Sequence, residues 1–356
     1  MAKIYNYYPG ANTSLGFYSF YNYLPVKADK IYIIKGGPGC GKSTFMKKIG
    51  KRAEDKGYSL ELHWCSSDND SLDGIVIKEL KTAILDGTAP HTVDPVFPGV
   101  KENILDFGQF WNNTILINNK NSIITLTNKI KAKFQDSYFH LREAGHFHNK
   151  FCKENNKIIN RNSLNKIINK YIDKINLNIA KNSNIKTYDR HLFMSAITPH
   201  GPKNFFTENA ANLDFIFTLK GIPGIGKSYF LKHFAQKVKE KNYTVLYFHC
   251  SLNPEKYDAI IIPELKVGLF DDNIPHKIKS KNIKIEENIN LNDYIISKKR
   301  DNYNELYFNL FIDEAVKNLK KAKSLHDRLE DYYIEAMNFS QLNQLSKSIS
   351  RQIFNI

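Results

Sequence analysis

One pattern of apolar and polar positions runs along the chain twice. Ile31-Tyr32-Ile33-Ile34 is a short apolar run that stops at a glycine-rich turn, as a buried parallel strand does. A helix is predicted next, with Phe45, Met46, Ile49 and Ala53 on one face and Gly57 at its end. Apolar runs at 60–65 and 80–85 predict two more strands. Ile216-Phe217-Thr218-Leu219 copies the first strand, and Phe230, Leu231, Phe234 and Val238 copy the helix face. Asn242 copies the stop, and 245–250 and 265–270 copy the later strands. Strand, helix, strand in this order predicts right-handed βαβ units and a parallel sheet. Residues 307–337 are predicted to be largely helical, and 152–179, rich in Lys and Asn, a surface helix or helix pair.

The copies are in register. An offset of 185 aligns the chain without a gap from Ala11/Ala196 to His91/His276. Matched residues include Thr13/Thr198, Gly16/Gly201, Phe20/Phe205, Lys42/Lys227, Cys65/Cys250, Asp73/Asp258, Glu79/Glu264 and Asp86/Asp271. In the helical tail the offset shortens to 178, where Leu141, Ala144 and His148 match Leu319, Ala322 and His326. Duplication and fusion of one domain explains this. The expected architecture is α/β: one P-loop NTPase domain at 1–185 and a second at 186–356, the boundary falling near 181–188. Each is a parallel sheet flanked by helices with a helical C-terminal extension, and the two pack as an intramolecular pseudo-dimer.

Two loops carry the chemistry. The first is Gly36-Gly37-Pro38-Gly39-Cys40-Gly41-Lys42-Ser43-Thr44, and the second is Gly221-Ile222-Pro223-Gly224-Ile225-Gly226-Lys227-Ser228-Tyr229. Both fit G-x-x-x-x-G-K-[ST] between an apolar strand and a helix, so they are expected to bind ATP or another nucleoside triphosphate. Glycines let the backbone wrap a phosphate, and the amides form an anion nest at a helix N-terminus. Lys42 and Lys227 would neutralise the β- and γ-phosphates, and Ser43 and Ser228 would ligate Mg2+. Asp86 and Asp271, each at the end of an apolar strand, are the candidate second magnesium ligands and catalytic residues. A turn aspartate is the alternative for Asp86, which precedes Gly87.

No Asp-Glu pair follows either strand, so a catalytic base is not written in the motif. Asp73 and Asp258 are candidates to hold a phosphoryl acceptor, or else helix N-caps. His91 and His276 are candidates to sense a γ-phosphate, or else neutral imidazoles bonded to backbone. Glu79 and Glu264, at the far edge of the sheet, read as structural. Phe20 and Phe205 either stack on a base or belong to the core. The Cys40 side chain is expected to point away from the phosphates, leaving open a sensitivity of that loop to thiol reagents.

Composition changes this picture little. The formal charge of +15 suggests nucleic acid, but only seven of the 51 basic residues are Arg, the residue suited to bidentate phosphate and base contacts. The Lys excess comes with abundant Asn and Ile, as codon bias in an AT-rich genome produces. Lysines still bind phosphates non-specifically, so nucleic acid stays a weakly supported partner. Four cysteines without a Cys-x-x-Cys pair form no disulfide framework, and read as buried thiols before zinc ligands. No apolar run reaches bilayer length and no signal pattern opens the chain, so a cytoplasmic protein without a membrane partner is expected.

The G-x-P-G-x-G-K-S loops, the Cys-Ser after the second strand, Ser71-Leu72-Asp73-Gly74 and Asp86-Gly87-Thr88-Ala89-Pro90-His91 together resemble a family of tandem P-loop proteins of low-GC bacteria. Those proteins are described as ATPases or nucleotide-kinase-like, without an assigned substrate. The resemblance covers nearly the whole chain. It departs at Asp271-Asp272-Asn273-Ile274 and in the Asn- and Lys-rich segment near 152–184. It implies a Mg-ATP-binding tandem NTPase that hydrolyses ATP or passes the γ-phosphate to an unidentified acceptor. The alternatives are a nucleotide-dependent switch or scaffold acting on a protein partner with little turnover, and a nucleic-acid-stimulated ATPase.

Overall fold

The computed structural model describes residues 2–24, 27–89, 92–174, 187–272, 278, 283–294 and 305–355. The first half contains β1 (Ile4–Tyr7), the hairpin β2 (Gly10–Thr13) and β3 (Gly16–Ser19), β4 (Lys30–Lys35), α1 (Lys42–Asp55), β5 (Leu60–Trp64), β6 (Leu72–Ile77), β7 (Thr82–Asp86) and β8 (Glu102–Asp106). Three helices follow: α2 (Asn113–Asn118), α3 (Lys120–Asn156) and α4 (Arg161–Lys174). The second half repeats this with β9 (Asp189–Phe193), β10 (Ser195–Thr198), β11 (Gly201–Asn204), a short α5 (Phe206–Ala210), β12 (Phe215–Lys220) and α6 (Lys227–Lys239). It continues with β13 (Val245–His249), β14 (Tyr257–Ile262), β15 (Val267–Asp271), β16 (Glu287–Asn290), α7 (Glu305–Ala336) and α8 (Phe339–Phe354).

Each half has a six-stranded sheet, in the order β1-β5-β6-β7-β4-β8 and, copied, β9-β13-β14-β15-β12-β16. The expectation of a wholly parallel sheet needs correction. β6 and β14 run antiparallel to both neighbours. The reason is local: only 78–81 separate β6 from β7, too few residues for a parallel crossover. Lys81 and its copy Lys266 take positive φ in this turn, 45° and 50°.

The predicted helix faces are all buried: Phe45, Met46, Ile49 and Ala53 on α1, and Phe230, Leu231, Phe234 and Val238 on α6. Gly57 and Asn242 end these helices at φ 82° and 62°, as the stop signals required. The predicted helix at 307–337 is α7. The segment at 152–179 holds the end of α3 and α4, but α4 is no surface helix. Leu164, Ile168 and Tyr171 pack into the core of the second half, around Phe217, Phe230 and Phe234.

The halves meet about a pseudo-twofold axis, because copied residues touch each other there. Tyr8 and Phe193, 185 apart, exchange two backbone hydrogen bonds of 2.9 and 3.0 Å. Asn12 Nδ2 donates to the carbonyl of its own copy, Ile197, at 3.1 Å. α3 and α7 form a long antiparallel pair in which Ser137 Oγ donates to Ala315 O at 3.0 Å, 178 residues on. Leu141 and Ala144 pack there against Ala315 and Leu319. Phe20 and Phe205 belong to this interface core, with Tyr8, Phe193 and Trp64, and do not face either glycine-rich loop.

One buried contact breaks the symmetry. Arg190 on β9 donates twice to Glu61 on β5, at 3.0 and 2.8 Å. Burial pushes the Glu61 carboxyl up, but Arg190 and His63 outweigh it and hold it well below the usual carboxylate range. The copies of Arg190 and Glu61 are Tyr5 and Leu246, which both belong to one apolar cluster.

Candidate functional site

The glycine-rich loops lie between β4 and α1 and between β12 and α6. Gly39 and Gly41 have φ of 68° and 84°, and their copies Gly224 and Gly226 85° and 101°, which side chains resist. A Cβ on Gly36 would sit 2.7 Å from Cys40 Sγ, and one on Gly221 2.7 Å from Ile225 Cγ2, so each loop closes on itself. The first helical hydrogen bond of α1 is Phe45 N–H to Gly41 O; earlier in the loop, Gly36 N–H donates to Thr88 Oγ1 at 3.2 Å. Lys42 Nζ donates to the carbonyls of Gly36 at 2.7 Å and Gly37 at 2.8 Å. Lys227 Nζ donates to Gly221 O at 2.6 Å. A helix N-terminus and an inward amine give each loop the chemistry of an anion site.

β7 lies directly beside β4, so Asp86 ends its strand facing the loop. Its Oδ2 is 3.5 Å from Lys42 Nζ, and Asp271 Oδ2 is 3.4 Å from Lys227 Nζ. Asp86 Oδ1 accepts the Thr88 N–H at 2.9 Å, so the turn role and the site role coexist in one side chain. Thr88 Oγ1 in turn donates to Gly36 O at 2.8 Å and ties the turn to the loop. Ser43 Oγ accepts the Leu72 N–H at 3.0 Å, and Ser228 Oγ the Tyr257 N–H at 2.9 Å, fixing each hydroxyl beside the start of the antiparallel strand. Thr44 is exposed, and its counterpart Tyr229 reaches instead to Asn165 on α4, at 3.1 Å.

Asp73 and Asp258 are not helix caps; that reading is overturned. Both lie inside strands, at a β-bulge. Opposite β5 the register jumps from Gly74 to Leu72, and opposite β13 from Ala259 to Tyr257, skipping each aspartate. A bulge re-aims the side chain of its extra residue. Here it holds Asp73 alongside Asp86, one step beyond the Gly74–Leu85 pair of β6 and β7. Burial and then the Asp86 charge push the Asp73 carboxyl up to about 7, against hydrogen bonds from Tyr21 and Cys65 and the pull of Lys42. Asp258 is likewise pushed up to about 7 by burial, against Cys250, Lys227, Lys256 and Ser195. The thiols of the shared Cys-Ser pairs thus serve these carboxyls. The aspartate that the sequence offered as an acceptor-holding candidate sits beside the site in both copies.

Each loop is covered by the helical tail of the other half. Gly39 N–H donates to Glu330 Oε1 of α7 at 3.2 Å, and a Cβ on Gly39 would lie 2.9 Å from Glu330 O. A Cβ on Gly37 would meet Tyr333 at 3.1 Å and Trp111 at 3.3 Å, and one on Gly41 would meet Leu342 at 3.2 Å. On the second loop a Cβ at Gly224 would collide with Cys152 O at 2.4 Å, and one at Gly226 with Leu164 at 2.8 Å. Asn155 Nδ2 donates to Pro223 O at 2.7 Å. Glu330 and Leu342 lie 178 residues beyond Cys152 and Leu164, so the two covers are copies. Sequence reasoning missed Glu330 because its copy is a cysteine and no motif contains it.

Other candidates fall away from the site. Glu79 Oε2 accepts the Ser59 N–H at 2.8 Å and Glu264 Oε1 the Thr244 N–H at 3.3 Å, a structural role at the far edge. Cys40 Sγ is buried and donates to Gly37 O at 3.0 Å, and burial pushes its thiol up, which disfavours the thiolate that reagents need. His91 and His276 lie outside the described residues. Among the described residues no helix is long and apolar enough to cross a membrane. In comparisons with known proteins, no family model, no curated protein and no solved structure matches this chain.

Proposed function

We propose that the chain is a tandem P-loop enzyme that binds Mg-ATP, or another nucleoside triphosphate, in each half and transfers the γ-phosphoryl group to water or a small acceptor. The observation that carries this reading is the bulge-held, buried Asp73 beside Asp86 and Lys42, repeated as Asp258 beside Asp271 and Lys227. It offers the base that the loop motifs lack. A carboxyl near 7 accepts a proton from an attacking hydroxyl more readily than an ordinary aspartate.

The residues suit a magnesium–triphosphate. The loop amides and Lys42 would hold the β- and γ-phosphates, and Ser43 and Asp86 the ion, with Lys227, Ser228 and Asp271 as the second set. Magnesium would supply charge neutralisation across the phosphates. Asp73 would hold the proton leaving the nucleophile, and the α7 and α4 covers would exclude water from the loops.

One experiment tests this reading. Purified protein is incubated with γ-labelled ATP, magnesium and a panel of nucleosides, nucleotides and nucleic acids, and the label is followed. Lys42→Ala with Lys227→Ala is expected to abolish transfer and weaken binding at least tenfold. Unchanged binding and turnover in that double variant would sink the proposal. The Glu330–Gly39 contact favours a second reading, a switch in which nucleotide displaces the tail of the partner half. Release of phosphate no faster than in the double variant, with binding retained, would select it.

A further inference from the structure

A cavity of about 560 Å3 adjoins the first glycine-rich loop on the side away from Asp86. The sheet order sets that side: β4 lies between β7, which ends at Asp86, and β8. The chain leaving β8 forms one wall, with Phe110 and Trp111, and the α7–α8 junction of the other half forms the opposite wall, with Phe339 and Gln341. The walls are stitched by backbone. Asn112 N–H donates to Ala336 O at 2.8 Å, and Asn338 N–H donates to Phe110 O at 2.9 Å. Two of the wall residues also touch the loop, since Trp111 and Phe339 lie 3.3 and 3.7 Å from the Cβ positions of Gly37 and Gly41.

We infer that this cavity binds the nucleobase of the nucleotide whose phosphates occupy the first loop, so that the first site is built from both halves of the chain. The inference rests on the nucleotide reading above. Three features support a base as occupant. The cavity opens at the carboxyl end of a strand adjoining β4, where open α/β sheets place ligands. Its size suits the nucleoside part of a nucleotide. Its lining is mostly polar, with Asn112, Asn338 and Gln341 offering donors and acceptors that match a base edge such as that of adenine, Glu335 beside them, and the exposed Phe339 as the stacking surface next to the partly buried Phe110 and Trp111. A bare polyphosphate or a phosphorylated sugar would leave these faces unused. α8 is already held to the first half, where Leu342, Ile349 and Ile353 join the core around Phe45 and Ile49, so this wall of the cavity is fixed in place.

The chain has two tryptophans, Trp64 and Trp111, so Trp64→Phe makes Trp111 the only reporter. ATP and inorganic tripolyphosphate are titrated into that protein, with Lys42→Ala as the control for the first loop. Calorimetry gives both affinities and emission reports the surroundings of Trp111: ATP is expected to change the emission and bind more tightly than tripolyphosphate, which leaves the emission nearly unchanged. Phe339→Ala and Gln341→Ala, both at exposed positions, should weaken ATP at least about fivefold while leaving tripolyphosphate affinity intact, which also shows that the variants fold. If ATP and tripolyphosphate bind alike and Phe339→Ala changes neither, the base lies elsewhere and the cavity assignment fails while the phosphate-loop reading stands. If neither ligand binds in a Lys42-dependent way, both readings fail.

Discussion

Asp73 shows how much one residue's placement can differ from its local appearance. Ser71-Leu72-Asp73-Gly74 looks like a turn, and Asp-Gly is a turn dipeptide. The duplication marked Asp73 and Asp258 as a shared pair, but only the bulge, which depends on pairing with β5 and β7, places Asp73 beside Asp86. The raised carboxyl has a definite sign. Folding favours the protonated form, so its stabilising effect is fully present below about pH 4 and is lost as pH rises through about 7. In magnesium-free buffer the stability of the parent relative to Asp73→Asn should therefore fall between pH 5 and pH 8, whereas Asp258 adds a loss of its own and the buried, neutral His148 and His249 act in the opposite direction in both proteins. Asp73→Asn should remove the Asp73 part of the dependence while leaving that of Asp258, and exceed the parent at pH 8 by at least about 1 kcal/mol. With the second site silenced by Lys227→Ala, Asp73→Asn should lower turnover by about a hundredfold or more. A variant with the parent's pH profile of stability would show that Asp73 is ionised in the fold.

At the scale of elements, the parts with strong periodicity were legible and the parts set by pairing were not. The strand–loop–helix unit of 31–55, its copy and the helix α7 follow from apolar spacing and glycine placement alone. The antiparallel β6 was hidden because its Asp73-Gly74 reads as a turn and leaves only Ile75-Val76-Ile77 as an apolar run. The crossing of the tails was hidden because an amphipathic helix does not specify which sheet its apolar face meets. That crossing puts α7 and its Glu330 against Gly39, where the amide of an anion nest already holds a carboxylate. Glu330 lies 3.7 Å from His326 Nδ1, and its side chain is 30% exposed, so it is restrained but reachable. A phosphate entering the loop must compete with that carboxylate. Glu330→Gln should then tighten ATP at the first loop about three- to tenfold at low ionic strength, roughly 1 kcal/mol after solvent screening. Calorimetric titration in the Lys227→Ala protein measures it. An affinity that falls instead would show that Glu330 supports the ligand.

At the scale of the whole molecule, the duplication raises the question of why one half does not simply pair with itself. Most of the interface is near-symmetric. Tyr8 meets Phe193, Asn12 meets Ile197 and Ser137 meets Ala315, each across its own copy, so a homodimer of either half would recreate those contacts in outline. The buried Arg190–Glu61 pair would not survive. In a dimer of the first half, Glu61 would face Tyr5 and keep His63, 3.5 Å away, and Lys78, 4.0 Å away, but lose the two guanidinium hydrogen bonds. In a dimer of the second, Arg190 would face Leu246. A buried charge without its partner costs about 3–5 kcal/mol, and each homodimer would contain two. The mixed pair has none, since its other symmetric position holds Tyr5 and Leu246, both in one apolar cluster. Residues 1–185 and 186–356, co-expressed as separate chains with different tags, should therefore assemble as a heterodimer, observed by native mass spectrometry. Glu61→Leu in the first fragment supplies the apolar partner that Tyr5 has in the intact chain, and should shift that fragment toward self-association. A statistical mixture of homo- and heterodimers from the unmodified fragments would show that the ion pair does not set the pairing, and that the covalent link between the copies does.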